Sequence, residues 1–200
     1  MPRRIDHEGR RVRIAEAVCL LADEHGLEGV RLRDVAARAE VSMGAVQRCF
    51  RTKEEMLVFA LSHVSARVTE RIGARDEAAP GGESARDALT RITGEVALVA
   101  EERQREARVW LAFVAQAAVT PSLAEVVRES YAELHPLLVR LVREAAEGSS
   151  EASAEREARA LLALTDGLTT HVLIGHLSPA DALGVLEGHL DRLCGERRDA

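Results

Sequence analysis

Aromatic residues are scarce in this chain: three Phe, one Tyr and one Trp among 200 residues. Runs of β-branched residues alternating with polar ones are also missing. A β-sandwich or barrel draws on both, so an all-β fold is excluded. Cysteine is rare as well. Cys19, Cys49 and Cys194 are odd in number and widely spaced, and no CxxC or Cys/His ligand spacing occurs. Neither a disulfide framework nor a zinc site is indicated, and a reducing, cytoplasmic setting is expected. No apolar run approaches the ~18 residues of a membrane span, and residues 1–20 are too polar for a secretory signal. Gly-rich phosphate loops, metal-ligand spacings and nucleophile motifs are absent too. Asp166, His171 and His176 fall on one predicted helix beside Thr169 and Thr170. Without such a motif they do not make a catalytic site. No catalytic residue, metal or cofactor is expected, and the chain does not read as an enzyme.

What is present is helical. Ala, Leu, Val, Glu and Arg dominate, and they favour an all-α protein of about nine helices. The formal net charge of -6 argues at first against nucleic acid. The charge is uneven, however. Residues 1–60 hold 11 Arg and Lys against 10 Asp and Glu, and the remainder holds 16 against 23. The acidity lies downstream. Arg3, Arg4, Arg10, Arg11 and Arg13 cluster near the start, as a phosphate-facing arm or as an ordinary solvated face.

The first helix is predicted from about Arg10 to His25, with Ile14, Val18 and Leu21 as its apolar stripe and Gly26 as its stop. A short second helix covers about Arg33 to Ala39. Ser42 is the cap of a third that ends near Phe50. Thr52-Lys53-Glu54-Glu55 is a capping box opening a long fourth helix to about Arg75. Pro80-Gly81-Gly82 breaks the chain. Ser84 with Asp87 caps a helix to about Val99, and another runs from about Arg103 to Val119. Thr120-Pro121 starts a helix to about Ala146 that carries Pro136. After a polar linker, 147–153, a helix spans about Ala154 to Gly175. Ser178-Pro179 begins the last.

The most specific feature is the pair of short helices around residue 40. Ala36 and Ala39 are small enough for close packing, and Val35, Val41, Val46 and Phe50 supply a core. Such a scaffold offers the start of its second helix to a DNA major groove. With Val46 and Phe50 turned inward, Met43, Ala45, Gln47 and Arg48 are expected to face outward. Arg48 suits guanine, Gln47 adenine, and Met43 and Ala45 a thymine methyl. The capped N-terminus at Ser42 suits a phosphate, and Gly44 leaves its backbone open. Arg33 and Lys53 are placed for phosphates.

At these residues the chain resembles the TetR family of bacterial regulators. The resemblance runs through Ile14-x-x-Ala17, Gly26, Arg33-Asp34-Val35-Ala36, Val41-Ser42-x-Gly44-x-Val46, Phe50 and Lys53-Glu54-x-x-Leu57. Four positions depart from the pattern. The family usually has a phosphate-contacting Tyr at Gln47, often Gly at Glu40, a capping Thr at Arg31, and His or Tyr at Cys49. Further on, Val109-Trp110-Leu111-Ala112-Phe113, Pro121-x-Leu123 and Leu164-x-Asp166-Gly167-Leu168 resemble the BetI-like subfamily, whose best-known member senses choline.

The resemblance implies two domains: a helix-turn-helix domain over 1–55 (core 8–57, helix-turn-helix 31–50), and a helical ligand-binding and dimerisation domain over 56–200. It implies a homodimer on a roughly palindromic double-stranded operator, released by a small-molecule effector, and no membrane. Candidate pocket residues are Trp110, Phe113, Gln116, Tyr131, His135 and His171. Apolar spacing nominates Leu161, Leu164, Leu168 and Val172, then Leu183, Leu186 and Leu190, as the dimer interface; the alternative is that these stripes only pack internally. The expected function is a ligand-responsive repressor. An activator of the same fold, and a helical ligand-binding protein that does not touch DNA, stay open as alternatives.

Overall fold

The computed structural model describes residues 2–78, 83–146 and 148–195. Among the described residues there are nine α-helices and no strand. They are α1 (Pro2–His25), α2 (Leu32–Arg38), α3 (Met43–Cys49), α4 (Lys53–Ala78), α5 (Ala85–Ala97), α6 (Gln104–Ala117), α7 (Pro121–Ala145), α8 (Glu151–Leu173) and α9 (Pro179–Gly195). A single 3-10 turn, Glu101–Arg103, precedes α6. The Pro80-Gly81-Gly82 breaker and the side chains of Arg3 and Arg4 lie outside the described residues.

Hydroxyl side chains start most of these helices. Ser42 accepts from the Ala45 N–H at 3.2 Å, Thr52 from Glu55 at 3.0 Å, Ser84 from Asp87 at 3.1 Å and Ser178 from Asp181 at 3.1 Å. Each satisfies a donor that the first helical turn leaves orphaned. At α8 the cap is Ser150, bonded to the Ser153 N–H at 3.2 Å. That helix therefore begins at Glu151 rather than at Ala154. At α7 the expected cap is diverted, because the Thr120 hydroxyl accepts from Gln116 Nε2 at 2.8 Å. The helix α1 starts earlier than expected. Between Pro2 and Gly9 the sequence has Ile5 as its one large apolar residue, so no apolar period marks this stretch. Gly26 and Gly175 stop α1 and the α8 region with φ of +67° and +72°, where a side chain would be strained.

The chain divides into two compact units. One comprises Met1–Arg67 with Arg108–Arg128, and the other Val68–Ala107 with Glu129–Ala200. The middle of the chain, Arg108–Arg128, thus packs with the first unit. In that unit α1 packs on α2 and α3, and α2 packs on α3. Ile14, Val18, Val30, Val35, Val46, Met56 and Leu61 are fully buried. Each such large side chain contributes about 1.5–3 kcal/mol of transfer free energy. Arg108 of α6 reaches Asp23 of α1 at 2.5 Å, and the Ser122 hydroxyl of α7 donates to the Glu54 carboxylate of α4. In the second unit α5, α8 and α9 pack on one another around Leu89, Ile92, Leu161, Leu186 and Leu190. Arg71 of α4 bridges Glu95 at 3.2 Å and Glu106 at 3.0 Å, tying three helices of that unit at a mostly buried position.

Candidate nucleic-acid interface and ligand groove

The two short helices α2 and α3 form the expected helix-turn-helix. The turn between them contains Glu40 at φ +54°, a left-handed conformation that only glycine adopts without strain. Arg31 occupies the cap position of α2 and makes no side-chain cap bond. In α3, Met43, Gln47 and Arg48 are exposed, as is Ser42 before it. Met43 keeps half of its surface in solvent, unusual for so apolar a side chain. The Arg48 guanidinium folds back along the helix, its Nη1 3.5 Å from where a Cβ on Gly44 would sit. The cation is thus carried toward the helix N-terminus, where both it and the backbone N–H groups favour an anion.

Ala45 departs from expectation. It is buried, not outward. Ala45 and Cys49 stand one turn apart and are both buried, next to the strip made by Val46 and Phe50. A seven-residue helix held on two sides has only its remaining face free, and Ala45 is not on it. Arg33 is exposed, with its Nε 3.2 Å from its neighbour Asp34. Lys53 is exposed as well, but its ammonium leans on the Leu27 carbonyl at 3.4 Å, which leaves its other donors for a phosphate.

In the second unit α7 stands off from α8, and two adjoining grooves open between them. One, of about 560 Å³, is lined by Tyr131, Ala132, His135, Arg159, Leu162, Ala163 and Asp166. The other, of about 660 Å³, adjoins it at His135 and holds Pro136, Val139, Arg140, Arg143, Glu144 and Glu155. Each falls in the range of small-molecule sites. The Tyr131 hydroxyl donates to the Asp166 carboxylate. Burial first, and then Asp166, push the Tyr131 phenol above its ordinary range. His135 Nε2 is buried with no hydrogen-bond partner.

Of the six expected pocket residues, Tyr131 and His135 line this trough. The other four do not. Phe113 is completely buried in the first unit, where it is core. Trp110 lies half-buried in the same unit, and Gln116 is committed to Thr120 there. His171 is exposed at the end of α8, its ring 4.8 Å from that of His176, which lies beyond the helix. Asp166, Arg159 and Arg143 were not foreseen as groove residues. For Asp166 and Arg159 the signal was the i, i+4, i+7, i+11 recurrence of Glu155, Arg159, Leu162 and Asp166 along one flank of α8; Arg143 lies on α7 and had no such signal.

Residues 14–58 match the family described as bacterial regulatory proteins, tetR family, and residues 85–195 match the BetI-type transcriptional repressor C-terminal family. The chain belongs to the TetR family. The HTH-type transcriptional regulator PksA of Bacillus subtilis is 31% identical, over 98% of this chain and 95% of that protein. The regulator BetI of Burkholderia mallei is 32% identical, over 98% of this chain and all of that protein. A transcriptional regulator from a Rhodococcus species, solved by crystallography, superposes with a TM-score of 0.79 at 34% identity, covering 91% of this chain and 96% of that one. A regulator from Saccharomonospora viridis crystallised with choline shares the fold at 23% identity and a TM-score of 0.78, covering 96% of this chain and 97% of that one. This TetR-family chain is therefore a DNA-binding transcriptional regulator. No helix among its described residues is long and apolar enough to cross a membrane.

The leucine stripes of this regulator correct a second expectation. Leu161, Leu186 and Leu190 have at most 1% of their surface exposed in a single chain, and Leu168 and Val172 are also buried. A side chain with no free surface has none to give to a partner, so these stripes are internal core. Only Leu164 and Leu183 of the expected set keep accessible surface.

Proposed function

We propose that this TetR-family regulator is a homodimeric repressor whose α3 reads a roughly palindromic operator and whose release is triggered by a small molecule in the α7–α8 trough. The observation that supports it most is the exposed face of Ser42, Met43, Gln47 and Arg48 on an otherwise buried three-helix frame. In this reading Arg48 and Gln47 contact base edges, Met43 meets a thymine methyl, and Ser42, Gly44, Arg33 and Lys53 hold phosphates. Gln47 stands where the family usually carries Tyr, so its amide adds a base contact in place of a phosphate one.

Dimerisation is assigned to the outer faces of α8 and α9. Ala160, Leu164, Gly167, Ile174, Leu183 and Val185 all keep accessible surface, with Ile174 69% exposed. Two short-sided helices from each protomer would pack closely about a two-fold axis. The effector must bind the DNA-competent and released states with different affinity. Choline fits this trough poorly. A quaternary ammonium favours an aromatic cage, and Tyr131 is the one aromatic of Phe, Tyr or Trp type in the second unit.

A gel shift with the DNA upstream of its own gene tests the reading, together with a reporter on that DNA in cells with and without the protein. A discrete shifted species and a reporter that rises on deletion are expected. A reporter that falls would mark an activator, and no shift at low salt would mark a protein that does not bind DNA.

A further inference from the structure

The two grooves join into one trough with a charge gradient along it. From Tyr131 to Arg143, α7 spans about 18 Å along its axis. At the Tyr131 end lies Asp166, whose carboxylate already accepts from the Tyr131 hydroxyl. Toward the other end lie Arg159, Arg140 and Arg143 with Glu155 and Glu144. Arg159 is held by Glu155 at 3.1 Å and Arg140 by Glu144 at 3.5 Å. Arg143 has no carboxylate partner among the described residues. Three guanidiniums thus meet three carboxylates, so the trough is neutral in sum but negative at one end and positive at the other. Between the ends, Ala132, Leu162, Ala163, Pro136 and Val139 supply apolar surface. Midway, the buried and unpartnered His135 Nε2 lacks a hydrogen bond that a buried polar atom ordinarily makes.

We infer that the effector is an elongated, mostly aliphatic zwitterion, with a cationic amine at Asp166 and a carboxylate or other anion at Arg143. This rests on the trough being the effector site. A ligand of one sign would leave one end uncompensated. A ligand of zero net charge with separated ends meets a charge-assisted hydrogen bond at each. A polar group in mid-chain would add the partner that His135 lacks.

Isothermal titration of the full chain with ω-aminododecanoate, dodecanoate and dodecylamine, each below its micelle concentration, tests the assignment. The doubly charged chain is expected to bind about tenfold more tightly than either singly charged one. Arg143→Ala should remove its advantage over dodecylamine, and Asp166→Asn its advantage over dodecanoate. Ala163→Trp, at an exposed position on the trough wall, should abolish binding of all three. Helical circular dichroism checks that each variant is folded. Equal binding of the three probes, abolished by Ala163→Trp, would overturn the dipolar assignment and leave the trough as the effector site. Binding that Ala163→Trp leaves untouched would overturn the trough itself. Binding of none of the probes would overturn the assignment.

Discussion

The guanidinium of Arg11 lies 4.2 Å from the ring centre of Phe59 and 5.1 Å from that of Phe50. The two rings are themselves 5.5 Å apart. Arg11 therefore caps the helix-turn-helix core instead of facing solvent with its neighbour Arg13. Arg11→Ala should lower the stability of this unit by about 1 kcal/mol, through lost cation–π and packing contacts. Its operator binding should keep the salt dependence of the wild type. Arg33→Ala should instead reduce the salt slope by about one. Chemical denaturation and anisotropy titrations over a range of salt measure the two effects.

Glu40 sits at φ +54° in the turn between α2 and α3. The cost of that conformation for a side chain is about 1–2 kcal/mol. Glu40→Gly should therefore raise stability by about 0.5–1 kcal/mol despite the extra freedom glycine has when unfolded. Arg31→Thr should add a comparable amount by capping α2, whose cap position makes no side-chain bond. Thermal unfolding reads both. A loss of stability in Glu40→Gly would show that the turn is not held in the left-handed region.

Tyr131 is the only tyrosine, so phenolate absorbance at alkaline pH reads it alone. Its pKa is raised, by burial and then by Asp166, so the neutral phenol is the form that the fold favours. The stability this contributes is fully present below the unfolded value near 10 and is lost as pH rises through the folded one. The absorbance midpoint should lie above that of free tyrosine. Asp166→Asn should lower it partway, leaving the larger contribution of burial.

The interface is tested by separating two sets of residues. Leu161→Ala should destabilise the fold by about 2–5 kcal/mol, because it empties a fully buried position. Ile174→Glu should leave the fold intact and weaken the dimer, because Ile174 is exposed in the single chain. Sedimentation velocity and denaturation read the two independently. A dimer indifferent to both Ile174→Glu and Leu183→Glu would move the interface elsewhere.

Much of this was legible from short-range chemistry. Ser42, Thr52, Ser84 and Ser178 announced their helices because a hydroxyl three residues ahead of a free N–H is a local event. What failed was long-range. The leucine period on α8 and α9 identifies a buried face, but period alone cannot tell whether another helix of the same chain covers it. Ala45 was misplaced because alanine is equally at home on either face of a short helix. The meeting of Tyr131 with Asp166 joins residues on separate helices, and no spacing rule reveals it. Phe113 and Trp110 looked like pocket residues because aromatics often are, yet they lie in the other unit from the trough.

The most direct test concerns the helix from Ser42 to Arg48. Duplexes are selected from a randomised pool by the wild type and by Arg48→Ala, and affinities for the selected site are then measured at fixed salt. The wild type should recover a two-fold symmetric site. Arg48→Ala should lose about 1–3 kcal/mol on that site and tolerate any base at one position in each half. Undiminished affinity with the same base preference in Arg48→Ala would contradict the assignment of α3 as the reading helix through Arg48.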